Sequence, residues 1–501
     1  MLLAEGGDRT WEATRPGPAE GPSAAAFWDR MMLTAPARRA PSPRAAPAGL
    51  GPALRLLEAA WHGGRAGMPA APSAGALHPY ECLVVTGTGT GAAVFAADPV
   101  RRTCALLTEG PETGRALDES GLAVPEGGAL LLVVARPWLS IRKYGDRGYL
   151  YTQLDAAHFA VHLLGLAADA DERAALRTRL DTGPLAALLG LDRHCRFIHS
   201  VLTVGAGRGG RGPDAGHGTG TGPDTGRDGW SQTRGGAAFA PVSWLEQACW
   251  GLIGPFRERG RPADSEVVPE PLVSRASELL GGRPFASGES RTGLAARRRS
   301  AKTFTKGAVS RHDLGVVLSA MRAELRTDLP GGDPVRATLV ARDVTGLGVG
   351  SIGLTGAGAG TGTGAAGPGL APTAVTDEEL VEICMGQDHL RHAAGFVLLH
   401  ARRQELLRDG PSGIDRVLFR AGALGHLLYL GAAEAELSIT AIGGFDSARW
   451  RAVADLAADE EVLYVLVIGT SAPDSDVSGV PGVSGAMKLD RLHVAYAQNE
   501  R

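Results

Sequence analysis

The residues best suited to chemistry are a lysine and a tyrosine side by side, Lys143-Tyr144, within RKYGDRGY, Arg142 to Tyr149. A free phenol ionises near pH ~10, and a neighbouring ammonium favours the phenolate, so such a pair can accept and return a proton. Neighbours on a strand face opposite ways, so the two side chains meet only where the backbone turns. Gly145 permits that turn, which would open a helix from Leu150 to Ala168. A surface lysine beside a core tyrosine has the same spacing.

Three other stretches could hold a ligand. Arg297, Arg298, Arg299 and Lys302 surround the Ser300 hydroxyl. Phosphate needs such fixed positive charge and donors, although a solvated basic helix start looks alike. Pro72-Ser73-Ala74-Gly75-Ala76-Leu77-His78-Pro79 sets small residues and a hydroxyl between prolines. It would let a flat ligand approach the backbone, and it also reads as an ordinary turn before a strand. In Ala441-Ile442-Gly443-Gly444-Phe445-Asp446 the paired glycines leave backbone N–H groups open to a ring edge, or make a simple turn.

No metal site is expected. His158 and His162 share a helix face, and His78 joins them in inviting a metal reading, but no metalloprotease carboxylate pattern accompanies them. They read as core or interface histidines. The five cysteines, Cys82, Cys104, Cys195, Cys249 and Cys384, are scattered with no CxxC pair. That argues against zinc and suits a reducing cytoplasm.

Elements must position these residues. At 501 residues the chain is too long for one ordinary core, so two domains with linkers are expected. The formal net charge of −3 offers no general attraction to nucleic acid or an anionic membrane. No apolar run approaches the ~20 residues that span a bilayer. The opening MLLAEGGDRTWEATRP lacks a signal-peptide pattern. With 71 glycines, the stretches 1–26, 205–236, 346–369 and 471–501 read as loose tails, a linker and an insertion.

Helices are expected at 50–61, 244–256, 266–280, 311–325 and 417–434, and strands at 81–85, 129–135, 197–204, 395–401 and 462–469. The segment before residue 129 reads as polar connection. The halves repeat: LLLVVARP followed by YGDRGYLYTQLDAAHFAVHLLGLAA lies over GFVLLHARR followed by DGPSGIDRVLFRAGALGHLLYLGAA. The offset is about 265 residues, and both copies read strand, turn, long helix. The expected boundaries are 27–204 and 291–470, bridged by helices at 237–290.

These motifs together resemble the flavin-dependent nitroreductase superfamily, and within it the azoline dehydrogenases that make thiazoles and oxazoles in ribosomal peptides. Arg298-Arg299-Ser300, Lys302 and Phe304 resemble its opening FMN-binding motif, and Pro72 to Pro79 its second flavin loop. Lys143-Tyr144 is similar to the signature of the azoline branch, and Ala441 to Asp446 to the segment beside the flavin ring.

The resemblance implies an α+β fold: two tandem nitroreductase-like domains, each a mixed sheet flanked by helices, joined as an intramolecular pseudo-dimer. It implies FMN held by Arg298, Arg299, Ser300, Lys302, Pro72, Ser73, Ala74, Gly75, Ala76, Ile442, Gly443 and Gly444. Lys143 and Tyr144 would be the acid/base pair, and the partners an azoline-bearing precursor peptide and a YcaO-type cyclodehydratase complex. Each half keeps what the other lacks, which implies one whole site and one dead site per chain. A generic NAD(P)H-dependent nitro- or quinone reductase and a flavin-free scaffold stand as alternatives.

Overall fold

The computed structural model describes residues 49–63, 69–89, 91–99, 103–145, 147–191, 196–205, 245, 267–273, 282–329, 334–355, 371, 375–408 and 411–471. The first half runs α1 (Leu50–His62), β1 (Tyr80–Thr88), β2 (Gly91–Asp98), β3 (Thr103–Gly110), α2 (Pro111–Glu119), β4 (Ala129–Ala135), α3 (Pro137–Tyr144), α4 (Arg147–Asp169), β5 (Ala174–Arg177), α5 (Gly183–Leu188) and β6 (Phe197–Val204). The second runs β7 (Val268–Pro271), α6 (Arg291–Arg297), β8 (Val309–Ser310), α7 (Arg311–Ser319), β9 (Glu324–Thr327), β10 (Arg336–Ala341), β11 (Val344–Thr345) and β12 (Gly350–Gly353). It continues with α8 (Asp377–Ile383), β13 (Gly395–Arg402), α9 (Arg403–Leu407), α10 (Pro411–Glu434), β14 (Ser438–Ile442), α11 (Ser447–Val453) and β15 (Glu460–Gly469).

The strands form two large sheets. One has the order β3-β2-β1-β4-β6-β5-β9-β7, the other β12-β10-β13-β15-β14. The run β2-β1-β4-β6-β5 and the whole second sheet follow the same order, with every neighbouring pair antiparallel. Each long helix leaves the third strand of its run. Such a mixed α+β architecture is the expected fold class.

Alternation along the strands assigns each sheet two faces. In β4, Leu131 and Val133 enter a core shared by both halves, while Leu130, Leu132 and Val134 enter a local one with Leu117 and Leu185. In β13, Val397 and Leu399 enter the shared core, while Phe396 and Leu398 pack with Trp450. The shared core is built around α4 and α10. Helix α4 is buried on all sides from Gly148 to Ala167, which accounts for its many apolar residues. Among the described residues, no helix is long and apolar enough to cross a membrane.

Several local expectations are corrected. Lys143 and Tyr144 close helix α3 rather than lying in the turn, which falls at Gly145. The helix expected at 311–325 ends at Ser319, because Glu324–Thr327 is drawn into strand β9 against β7. The same pairing makes Val268–Pro271 a strand inside the helix expected at 266–280. The insertion expected from 346 holds strand β12, paired with β10, and the polar connection before 129 holds β2, β3 and α2. The expected tails, most of the linker, and the helix at 244–256 apart from Leu245 lie outside the described residues.

The α4–α10 crossing is tight. A methyl group built on Gly422 would lie 2.7 Å from the Ala157 Cβ and 2.8 Å from the Leu154 carbonyl oxygen. Relief requires moving helix backbone. Gly422→Val should therefore cost about 3 kcal/mol or more, with Gly422→Ala milder. Equilibrium urea denaturation would measure this; an unchanged midpoint in Gly422→Val would show that the helices separate freely.

Candidate active site

Helix α3 has Pro137 in its first turn and ends on Gly145, whose φ of 57° is left-handed. Its last two side chains converge on the loop before β1. A methyl group built on Gly75 would lie 2.2 Å from Lys143 Nζ and 2.3 Å from Tyr144 Oη. Gly75 is also left-handed, at φ 58°, so both its conformation and its neighbours require glycine there. Lys143 is buried, with Nζ 5.1 Å from the centre of the Tyr144 ring. A helix end brings together what a strand would have separated.

The loop is anchored from α4. Ser73 Oγ donates to Asp155 Oδ2 at 2.6 Å, and the Ala74 N–H donates to both carboxylate oxygens at 3.1 and 3.0 Å. The His78 N–H donates to Ser73 Oγ at 2.9 Å. Burial pushes the Asp155 carboxyl up to about 7, against the pull of the Ser73 and Ala74 bonds. Burial also raises the Tyr144 phenol above its usual value, and charge on Tyr151 and Asp155 raises it further. On balance the phenol is raised, not lowered as the lysine beside it suggests, because desolvation disfavours the phenolate.

The glycine segment is held by its carbonyls. Arg147 donates from Nη1 to the Gly443 oxygen at 2.7 Å and from Nη2 to the Phe445 oxygen at 2.8 Å. Gln387 Nε2 donates to the Gly444 oxygen at 2.8 Å. In a trans peptide the C=O and the following N–H point opposite ways, so pinning the Gly443 oxygen turns the Gly444 N–H away from Arg147. Among the described residues, neither the Gly443 nor the Gly444 N–H has a backbone partner. Tyr151 lies against Gly443, its hydroxyl 2.2 Å from a methyl built there, and its ring meets that of Tyr144 edge-on at 4.8 Å.

The basic stretch joins the same region. Arg298 donates from Nε to the Ala70 oxygen at 2.8 Å and from Nη1 to Ser300 Oγ at 3.2 Å, with its guanidinium 5.3 Å from the centre of the Tyr429 ring. Tyr429 Oη lies 3.3 Å from Ser300 Oγ and accepts from the Ala441 N–H at 2.8 Å. One tyrosine thus links the serine to the strand that ends in Ile442, itself buried. Arg299 and Lys302 are exposed. Arg297 turns outward onto Glu289, at 2.5 Å, and of the four expected cations Arg298 contacts Ser300.

The structure therefore links the Gly75 loop, Lys143 with Tyr144, the glycine segment and Arg298 with Ser300, while Arg299 is exposed and no contact ties Lys302 to them among the described residues. Tyr151 and Tyr144 connect the glycine segment to Gly75, and Arg298 ties the basic stretch to Ala70, beside Ala71 and Pro72. Arg147, Tyr151, Asp155, Gln387 and Tyr429 were not foreseen. Tyr151 and Asp155 did leave a signal: they stand i, i+4 in a helix buried all round, where a carboxylate must find partners.

His158 and His162 lie between the halves, whereas His78 pairs within the first half. His158 Nε2 lies 3.0 Å from Tyr464 Oη, the His162 and His426 rings are 5.6 Å apart, and His78 Nδ1 lies 3.0 Å from Tyr80 Oη. Burial lowers His158 to about 3 and His162 to about 4, with Arg298 adding to both, so both are neutral. Among the described residues, no three His, Cys, Asp or Glu side chains are arranged to hold a metal ion.

Residues 369–470 match the Nitroreductase family model. No curated protein matches the chain. Among solved structures, a putative nitroreductase from Anabaena variabilis is similar over 91% of this chain and 90% of its own, with 19% identity and a TM-score of 0.57. That likeness shows a nitroreductase-like fold across both halves. The E. coli microcin synthetase McbBCD complex with truncated pro-MccB17 bound aligns over 48% of this chain and 85% of that one, at 14% identity and a TM-score of 0.28. A putative nitroreductase from Ralstonia eutropha covers 42% and 100%, at 15% identity and a TM-score of 0.26.

Arg147 holds first-half and second-half walls together. Hydrogen bonds from a charged donor contribute about 1.5–3 kcal/mol each, so Arg147→Ala should lower stability by about 2 kcal/mol or more. Arg147→Lys should recover only part, because an ammonium lacks the fork that spans two carbonyls. Chemical denaturation of the three proteins would measure this, and equal midpoints would detach Arg147 from the segment.

Proposed function

We propose that the chain is an FMN-dependent dehydrogenase that oxidises azolines to azoles in a ribosomally made peptide. The observation that carries this reading is the meeting of Lys143 Nζ and Tyr144 Oη at Gly75, in the wall shared with Tyr151 and Gly443. The residues present fit the cofactor. Arg298, Ser300 and Lys302 offer charge and donors for a phosphate, with Arg299 exposed beside them. The loop Pro72-Ser73-Ala74-Gly75-Ala76, together with Ile442 and the open N–H groups of Gly443 and Gly444, offers small residues and backbone donors for a flat ring.

Aromatising an azoline removes two electrons and two protons. Bound FMN would supply the acceptor for the electron pair and one hydrogen. The chain's part is to hold the ring and take the other hydrogen as a proton from the ring carbon. That falls to Tyr144 as phenolate, with Lys143 Nζ as the adjacent polar group. Because burial holds the Tyr144 phenol above its usual value, the base form grows in only as pH rises. The rate should climb through the alkaline range.

The two halves act as a pseudo-dimer with one working site. Gly443 and Gly444 follow β14. In the first sheet, Thr178 and Arg179 follow β5 at the matching place, and their N–H groups donate to Asp328 at 2.8 and 3.1 Å. A carboxylate covers the donors that the working site leaves open. The substrate peptide and a YcaO-type cyclodehydratase would be the partners.

The purified protein should be yellow, with one FMN per chain; two per chain would sink the single-site reading. Tyr144→Phe should keep the colour and lose azole formation by about a hundredfold or more. Full activity in that variant would remove Tyr144 from the chemistry. Bleaching by NAD(P)H with turnover of nitroaromatics but not azoline peptide would point to a general reductase, and a colourless protein to a scaffold.

A further inference from the structure

Among the described residues, Asp155 is the one buried carboxylate that bonds to the loop. It projects from α4 one turn beyond Tyr151, so a single helix face touches both walls of the site: Tyr151 against Gly443, and Asp155 against Ser73 and Ala74. The loop it holds is unusual. Gly75, Ala76 and His78 have φ of 58°, 54° and 44°, and two of these are not glycine. Backbone of this kind persists only where its surroundings over-determine it. Asp155 supplies that restraint through three close contacts, and Ser73 passes it on to the His78 N–H.

We propose that Asp155 is the positioning residue of this site, tying the Ser73–Ala74 turn to α4 and thereby fixing Gly75 against Lys143 Nζ and Tyr144 Oη. The proposal rests on the dehydrogenase reading only where turnover is concerned; the anchoring stands on geometry alone. Asp155 takes its bonds from the loop and needs no cation. The other titratable groups that sense its charge are Tyr80 on β1, Tyr144 on α3 and Tyr464 on β15, with Arg298 acting on Tyr80 and Tyr464 in the opposite sense.

Holding a carboxylate there costs stability. Its folded value is raised to about 7 from 3.8, so its contribution is fully present below the unfolded value and is lost as pH rises through the folded one. Asp155→Asn removes the charge and keeps one acceptor oxygen. That variant should match the parent near pH 4, gain on it as pH climbs towards 7, and stay ahead above. A residue that served stability alone would behave in the reverse way.

The test uses the full chain with FMN bound and three variants, Asp155→Asn, Asp155→Ala and Ser73→Ala. Hydrogen exchange across residues 69–80 should accelerate about tenfold or more in Asp155→Ala and Ser73→Ala, with residues 129–135 unchanged. Turnover of an azoline peptide should fall about a hundredfold in kcat, with KM within about threefold. Unchanged exchange in the loop in both Asp155→Ala and Ser73→Ala would overturn the proposal. If Asp155→Ala does not fold, Ser73→Ala carries the exchange measurement. If the parent protein oxidises no azoline, the functional reading fails, while exchange still decides the role of Asp155.

Discussion

Everything at the candidate site hangs on how closely α4 and α10 approach. Gly422 sits against Ala157 and Leu154, and three residues on Gly425 meets Tyr464 and His158, in both cases with no room for a methyl group. These contacts fix the two sheets at one separation and one angle. The separation decides whether Tyr151, on the first-half helix, reaches Gly443 after the second-half strand. It also decides whether Arg298, entering from the second half, reaches the Ala70 carbonyl.

Polar residues on α4 turn this packing into chemistry. Tyr151, Asp155, His158 and His162 form a stripe at helical spacing, and each has a second-half or loop residue in front of it: Gly443, Ser73 with Ala74, Tyr464 and His426. In so apolar a helix each polar group carries a desolvation cost, visible in the neutral histidines and the raised Asp155 carboxyl. The stripe is where the fold gives up some stability for arrangement.

Much of this was legible in the chain itself. Strands Ala129–Ala135 and Phe197–Val204 are legible to the residue, because short runs rich in apolar and β-branched residues between turn residues suit buried strands. The repeat was visible because equal burial imposes equal patterns on α4 and α10. The ends of helices were less legible. Gly145 signals a turn, but the turn begins only there, and Lys143 and Tyr144 still belong to the helix before it. Ala323 to Leu325 reads as helical because nothing local announces that β7 waits to pair with this stretch; tertiary pairing overrides local preference. Asp155 was missed since its partners lie some eighty residues earlier, in a loop whose own sequence speaks only of turns.

Strand β9 belongs by sequence to the second lobe, yet it lies in the first sheet, joined to β5 at Leu176 and Thr327 and fastened by Asp328 to Thr178 and Arg179. The first lobe is therefore unfinished when the ribosome has released all of its own residues. Its outer border stays open until a segment made much later arrives to close it. The lobes mature as one object rather than in succession, and cutting the gene between them would give two fragments, one lacking its border and the other carrying the β7–β9 pair without the sheet it extends.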